Sequence, residues 1–276
     1  MKALVTGANG YVGYHVIKEL LDRGHEVYAA DINNSNIDSR AKYMKEDIFR
    51  FTDDSEIKAE EFDLCLHLAW KNGFQHNAES HIIDLPKHYM FLKKMIEGGC
   101  KHVAVMGSMH EVGYWEGAID ENTPTAPQSL YGISKNALRQ LCFKMAEENH
   151  ICLQWIRGFY ILGDDLRNNS IFSKILRADL DGEKKFPFTS GRNKYDFIDV
   201  KELAQQIVAV VEQKEINGII NCCTGKPRTL ASEAERFIKE HRLTIELDYG
   251  KYPDRAYDSP GIWGDTAKID MIMHNR

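Results

Sequence analysis

The sequence predicts an α/β protein: a doubly wound parallel sheet with a small α/β substrate-binding lobe at its C-terminal side. Three observations carry that prediction. Short apolar runs alternate with helical patterns through the first half, a glycine triplet stands at the first strand-to-helix turn, and the second half is less regular. Strands separated by helices form βαβ units, whose right-handed crossovers bring strand ends to one edge of the sheet, where ligands bind.

The elements follow in order. "KALVTG" (2–7) reads as a strand, "YVGYHVIKELLDRG" (11–24) as an amphipathic helix closed by Gly24, and "HEVYAAD" (25–31) as a second strand. A third strand candidate precedes Asp47, and "FDLCLHLAW" (62–70) supplies a fourth. A helix within 79–98, the strand "HVAVMGS" (102–108), a helix from about 129 and the strand "ICLQWIRGF" (151–159) complete this half. Beyond it lie a helix from about Ser170, a strand entering a helix at 194–213, and the strand "NGIINCC" (217–223). The end of the chain adds a helix at 231–241, a strand at 244–249 and loops. Residues 1–165 are expected to form the dinucleotide-binding domain, its sheet completed by about 191–225, with 166–190 and 226–276 as the lobe. Substrate would sit in the cleft between them.

Composition narrows the function. With 276 residues, 43% hydrophobic and 28% charged, the chain can bury a sizeable core. A net charge of −6 argues against nucleic-acid binding, though a local basic site for a phosphorylated small molecule remains open. No apolar run approaches the roughly 18 residues of a membrane span. The start "MKALVTGANG" lacks the features of a signal peptide, so a cytoplasmic location is expected. Cys65, Cys100, Cys142, Cys152, Cys222 and Cys223 form no CxxC pair and no zinc-ligand spacing, so they read as small buried hydrophobes, and no metal site is expected.

In "VTGANGYVG" (5–13), Gly7, Gly10 and Gly13 follow a strand and open a helix. Glycine permits both the tight turn and the close approach of backbone to a pyrophosphate, which then rests on the helix N-terminus. This is the phosphate loop of a Rossmann-type domain. Asn9, Tyr11 and Val12 are expected beside the cofactor with it. Asp31 ends the second strand about 20 residues on, where an acid binds the adenosine ribose hydroxyls. A carboxylate there favours NAD(H) and repels the 2′-phosphate of NADP(H), which stays possible; the competing reading is a turn cap in "DINN". Asp47 and Ile48 would frame the adenine, or be an ordinary turn, and Leu68 and Ala69 at the end of the fourth strand complete the set.

Tyr131 and Lys135 in "SLYGISKNAL" (129–138) stand one helical turn apart on one face. A tyrosine pKa near 10 is too high for efficient proton transfer at neutral pH, and a neighbouring ammonium lowers it. With the glycine loop, this YxxxK pair resembles the short-chain dehydrogenase/reductase superfamily. The spacing and length are similar to its extended branch, the NAD-dependent epimerases, dehydratases and reductases of nucleotide sugars. The resemblance covers nearly the whole chain: "FDLCLHLAW", "VAVMGSMHEVG", "ENTPTAPQSLYGISK", "IRGFYILG", "YDFIDV" and "DRAYDSPGIWGDTAKI" occur in family order. It implies that Ser108, Tyr131 and Lys135 are catalytic, with Ser108 holding the reacting oxygen and Lys135 also contacting the nicotinamide ribose.

Departures from the family's patterns select the reaction. Nucleotide-sugar 4,6-dehydratases carry Asp and Glu where this chain has Met109 and His110, and Met109 cannot move a proton. The epimerase-reductases that make GDP-fucose carry a cysteine beside the serine, and this loop has none. The favoured reading is therefore an oxidoreductase that reduces the C4 keto group of a (d)NDP-4-keto-6-deoxyhexose. The alternative is an NAD-dependent 4-epimerase, which "SPGIWGDTAK" (259–268) resembles. A non-catalytic dinucleotide sensor is disfavoured by the intact trio. The resemblance further implies that Ser108, Met109, Asn169, Arg192 and Arg255 contact a nucleotide sugar, Arg192 standing three residues before the usual arginine position, here Tyr195. Trp70, Lys71 and Phe74 are candidates for the pocket wall, His110 for a second proton donor, and His67 for a packed core residue. A homodimer through helices near 79–98 and 129–149 is expected.

Overall fold

A computed structural model describes residues 1–50, 57–163, 166, 170–254 and 258–274. The chain opens with β1 (Lys2–Thr6), α1 (Tyr11–Asp22), β2 (Glu26–Asp31), β3 (Lys42–Lys45), β4 (Leu64–His67) and α2 (Ser80–Glu97). It continues through β5 (His102–Ser108), β6 (Gly117–Ile119), α3 (Leu130–Asn149), β7 (Cys152–Gly158) and β8 (Tyr160–Leu162). The second half adds α4 (Ile171–Leu180), β9 (Lys185–Pro187), β10 (Lys194–Asp199), α5 (Val200–Val211) and β11 (Gly218–Cys222). It ends with β12 (Pro227–Thr229), α6 (Leu230–Glu240), β13 (Glu246–Asp248), β14 (Gly261–Gly264) and α7 (Ala267–His274).

Seven strands form a parallel sheet in the order β11-β7-β5-β4-β1-β2-β3. From β1 the chain winds outward in both directions, so the strand order reverses between β1 and β4. A crevice opens there at the C-terminal ends of the strands. Side chains alternate across the sheet as the pleat requires. Ala3, Val5, Leu64, Leu66, Ala104 and Ile220 pack into one core with residues of α1, α5 and α7. Leu4, Cys65, Val103, Val105 and Trp155 pack into a second core with residues of α2 and α3. Both faces are covered, which is why the central strands β1, β4 and β5 are largely apolar rather than alternating with polar residues.

The second half corrects two expectations. Within 191–225, β11 joins the main sheet, but β10 belongs to a separate five-stranded sheet, ordered β12-β10-β14-β6 with β8 also on β10. The last helix also leaves the expected lobe: Ile269 and Ile272 of α7 are buried in the main core beneath the sheet. A local lobe remains around α4, α6 and the β9–β13 pair, centred on Ile175, Phe188, Ala234 and Ile245. All six cysteines are free thiols, and five are buried. No described helix is long and apolar enough to cross a membrane.

One buried carboxylate ties the second sheet together. Asp196 on β10 is fully buried and accepts hydrogen bonds from Thr224 N (2.9 Å), Thr224 Oγ1 (2.6 Å), Gly225 N (2.8 Å) and Gly264 N (3.2 Å). It thereby joins β10 to the turn after β11 and to β14. Asp196→Ala should lower unfolding free energy by on the order of 3 kcal/mol, because several donors lose a charged acceptor inside the protein. Urea denaturation measures this, with Asp196→Asn expected to fall between the two.

Candidate active site

Ser129, Ser170, Asp199 and Thr229 cap the N-termini of α3, α4, α5 and α6 with their side chains. α1 begins differently, at Gly10, with no side-chain cap, so no capping side chain occupies the helix N-terminus, the place where an anion binds. The loop before it closes with Gly10 N donating to Gly7 O at 3.0 Å. Gly7 has φ +68°, and a Cβ there would lie 2.6 Å from Ala69 N; a Cβ on Gly13 would lie 2.2 Å from Gly7 O. Only glycine fits either position, and the cradle matches a dinucleotide pyrophosphate. Asp31 accepts from Asn9 N at 3.0 Å and from its neighbour Ile32 N at 2.8 Å, so it braces the loop at the mouth of the cradle. Asn9 in turn bonds Asn33 and Asn36.

The remaining predicted cofactor residues are placed unevenly. Leu68 and Ala69 follow β4, with Leu68 N on Thr6 O at 3.2 Å, directly against Gly7. Val12 packs against the main core, and the Tyr11 hydroxyl donates to Leu162 O at 3.3 Å. Asp47 caps a short turn by accepting from Phe49 N at 3.0 Å, and Ile48 is buried.

Ser108 is the last residue of β5 and the cap of a single 3₁₀ turn, Met109–Glu111. Its Oγ accepts from His110 N at 3.3 Å, and its own N–H donates to Glu111 Oε1 at 2.6 Å, a reciprocal capping box. Glu111 is fully buried; Trp155 Nε1 donates to it at 2.9 Å, and Arg139 Nε and Arg157 lie 3.5 and 3.8 Å away. Burial raises its pKa, against the pull of Arg157. Sequence reading missed this residue, although Ser-x-x-Glu is a readable cap signature.

Tyr131 and Lys135 sit in the first turns of α3. Tyr131 N donates to His76 O at 2.8 Å and Leu130 N to Asn77 Oδ1 at 3.3 Å, so the loop after β4 satisfies the helix's opening donors. Burial pushes the Tyr131 phenol up to about 12, while its hydrogen bond with Ser108 pulls it down. Burial brings Lys135 down to about 7, opposed by the Glu111 carboxylate. The expected lowering of Tyr131 by the lysine ammonium is therefore not seen. Lys135 Nζ donates instead to Met106 O at 2.6 Å and lies 3.8 Å from the centre of the Trp70 ring.

Rings surround the pair. His76 stacks on Tyr131 (5.4 Å, 14°), His110 lies 4.4 Å from His76, and Trp70 meets Tyr131 edge-on at 5.9 Å. Behind Trp70 stands a buried chain in which Thr6 Oγ1 meets His67 Nδ1 (2.8 Å) and His67 Nε2 meets His88 Nδ1 (2.9 Å). His67 is a core residue, as expected. Lys71 pairs with Asp84 at 3.8 Å and covers Phe49, while Phe74 is exposed.

Of the described residues assigned to substrate, only Ser108 joins this group. Met109 is 5% exposed and packs with Val112, Ile119 and Phe159. Arg192 is exposed, and Tyr195, at the usual arginine position, is buried against Tyr160 with ring centres 4.1 Å apart. Asn169 and Arg255 lie outside the described residues. No group of three or more His, Cys, Asp or Glu among the described residues could hold a metal ion.

A glycine cradle against the end of β4 and a Ser-Tyr-Lys trio between the end of β5 and the start of α3 coincide with what sequence comparison finds. The profile of the NAD-dependent epimerase/dehydratase family matches residues 3–223. The chain belongs to that family. It is thus an NAD-dependent enzyme of the short-chain dehydrogenase/reductase type, and the resemblance read from the sequence is borne out. A dTDP-6-deoxy-L-talose 4-dehydrogenase (NAD(+)) from Aggregatibacter actinomycetemcomitans is 45% identical over 269 residues, covering 96% of this chain and 99% of that protein. A UDP-N-acetylglucosamine 4-epimerase from Methanobrevibacter ruminantium M1 superposes with a TM-score of 0.84 at 22% identity, covering 98% of this chain and 91% of its own. A dTDP-glucose 4,6-dehydratase from Streptomyces venezuelae gives 0.83 at 18% identity, covering 100% and 92%. Those two similarities establish the fold.

Two outcomes follow from the geometry. Tyr131→Phe should cut turnover by about 10²-fold or more, the usual worth of a positioned proton donor, while NAD affinity stays within a few-fold. Steady-state kinetics and calorimetric NAD titration check the two halves. Burial also holds His67 at about 3 and His88 well below its ordinary value. Between the folded and unfolded pKa values the unfolded chain binds protons that the folded one refuses, so the two histidines' contribution to stability is complete above about 6.5 and falls with pH below it. Each histidine contributes a slope of about 1.4 kcal/mol per pH unit there. Urea unfolding at several pH values between 7.5 and 5 measures the slope, which His67→Asn should make shallower.

Proposed function

We propose that the protein is an NAD(H)-dependent oxidoreductase that interconverts the keto and hydroxyl forms at C4 of a dTDP-linked 6-deoxyhexose, with reduction of the 4-keto sugar as its favoured direction. The observation that carries this reading is the full-length 45% identity to a dTDP-6-deoxy-L-talose 4-dehydrogenase. The intact Ser108, Tyr131 and Lys135 support it.

The chemistry that NAD supplies when bound is hydride exchange with the C4 carbon. The uncapped start of α1 and the loop of Gly7, Gly10 and Gly13 would hold its pyrophosphate, and Asp31 the adenosine ribose. Ser108 then fixes the C4 oxygen, and Tyr131 delivers a proton to it as the carbonyl becomes an alcohol. Lys135 supplies the positive charge beside the phenol and a contact to the nicotinamide ribose. In oxidation the proton returns to Tyr131, since the forward and reverse reactions share one path. Residues 1–165 with β11 form the dinucleotide-binding part of this scheme, and α4, α6 and the β9–β13 pair border the sugar nucleotide.

The working unit we infer is a homodimer. α2 and α3 pack side by side and expose Ile82, Ile83 and Met90 from one, and Ile133 and Leu141 from the other. Such an apolar surface on two neighbouring helices suits a four-helix bundle with a second copy. Ile83→Asp should yield a monomer in sedimentation analysis.

The decisive experiment supplies NADH and a dTDP-4-keto-6-deoxyhexose and follows both nicotinamide absorbance and product. One 4-hydroxy sugar should form per NADH consumed, and NADPH should be at least about tenfold poorer in kcat/KM, through repulsion at Asp31. Interconversion of two 4-hydroxy sugars with no net change in cofactor would establish the 4-epimerase instead.

A further inference from the structure

Trp70 lies against two members of the trio, Lys135 and Tyr131. Its ring centre is 3.8 Å from Lys135 Nζ, and its edge meets the Tyr131 ring at 5.9 Å. On the other side it lies nearly parallel to His88 at 4.3 Å and 12°. Its Nε1 donates to His81 Nδ1 at 3.0 Å, and His81 Nε2 bonds Gln75 O at 3.0 Å. The indole is thus fixed in angle by one hydrogen bond and in height by a buried ring, with its electron-rich face turned to an ammonium. Lys135 is 3% exposed, so little water remains to solvate that charge.

We propose that Trp70 is a positioning residue for Lys135, holding its side chain as an ammonium over the indole face and against the Met106 carbonyl. A desolvated cation over a tryptophan gains more than an exposed one, because no water competes for it. The groups facing the lysine are few. Glu111, from the turn after β5, favours the charged form; Arg139 and Arg157 flank Glu111 and partly neutralise it. His67 from β4 and His88 from α2 are held neutral by burial. Within α3, Cys142 is kept protonated, pushed up to about 12, and Tyr131 likewise. Besides Glu111, the ammonium depends on two uncharged partners, the Met106 carbonyl and the indole.

The inference rests on Lys135 belonging to the reacting trio, and its test needs no sugar substrate, so it stands or falls apart from the reaction proposed above. Protein labelled with ¹³C at lysine Cε is titrated by NMR, the Lys135 signal being assigned by its loss in Lys135→Met. The wild-type midpoint should lie at about 7. Trp70→Leu should lower it by about one pH unit, and Trp70→Phe, which keeps a smaller π face, by less. Tryptophans carrying one to three fluorines, placed at position 70 alone, keep the shape while draining the face of charge. They should lower the midpoint step by step, and they decide the matter if the leucine variant does not fold. An unchanged midpoint across the fluorinated series would overturn the proposal and leave Trp70 a packing residue. Equal shifts in the leucine and phenylalanine variants with a flat fluorine series would say the same.

Discussion

A lysine ammonium enclosed between β5 and α3 is the constraint around which the site is arranged. Isolating a charge from water costs several kcal/mol unless partners replace the solvent. Lys135 finds them in the Met106 carbonyl, the Glu111 carboxylate and the indole of Trp70. Each partner fixes a different segment. Met106 sets how far α3 slides along β5, Glu111 requires β5 to end in a tight turn at Ser108, and Trp70 brings in the loop after β4. The contacts that make the lysine tolerable are therefore those that put Ser108 and Tyr131 within hydrogen-bonding reach of each other.

The sheet explains why these segments meet. β1, β4 and β5 are adjacent and parallel, so the loops leaving their C-terminal ends converge on one spot. The glycine loop, the 70–79 segment and the Ser108 turn are those three loops. Gly7 fits flush against Ala69, which brings the glycine loop up to the segment that carries Trp70. The same fold is shared by proteins of quite different activity, including a 4-epimerase and a 4,6-dehydratase. A shared fold does not fix the reaction, which is set by the site built on it.

Features that are contiguous in the chain were legible from the sequence. The glycine loop, the YxxxK turn and the serine closing a strand each lie within a dozen residues, and their order along the chain identified the architecture. Contacts between distant segments were not. Glu111 acquires its meaning from Trp155 and Arg157, and Trp70 from Lys135, 65 positions later. Spacing placed the lysine beside the tyrosine but said nothing of how deeply the lysine is buried or how far the phenol is desolvated, and desolvation is what governs their ionisation. The second sheet escaped notice because β6, β8, β12 and β14 are three or four residues long, too short to show a period. The 226–276 boundary misplaced α7 for a related reason: an eight-residue helix at the chain's end carries no mark of which layer it will join.

That returning helix has a consequence for how the protein is made. α1 is synthesised about 250 residues before α7, and its core residues Val16, Ile17 and Leu20 belong to the same apolar cluster as Ile269 and Ile272. At 5–20 residues per second, tens of seconds at the slow end separate the synthesis of one side of that cluster from the other. Throughout that interval the nascent chain holds an open oily face, and the outer flank of β7 waits for β11 to arrive. The enzyme is thus a late-closing fold, in which α7 acts as a lid on a hydrophobic interior that α1 began much earlier in synthesis.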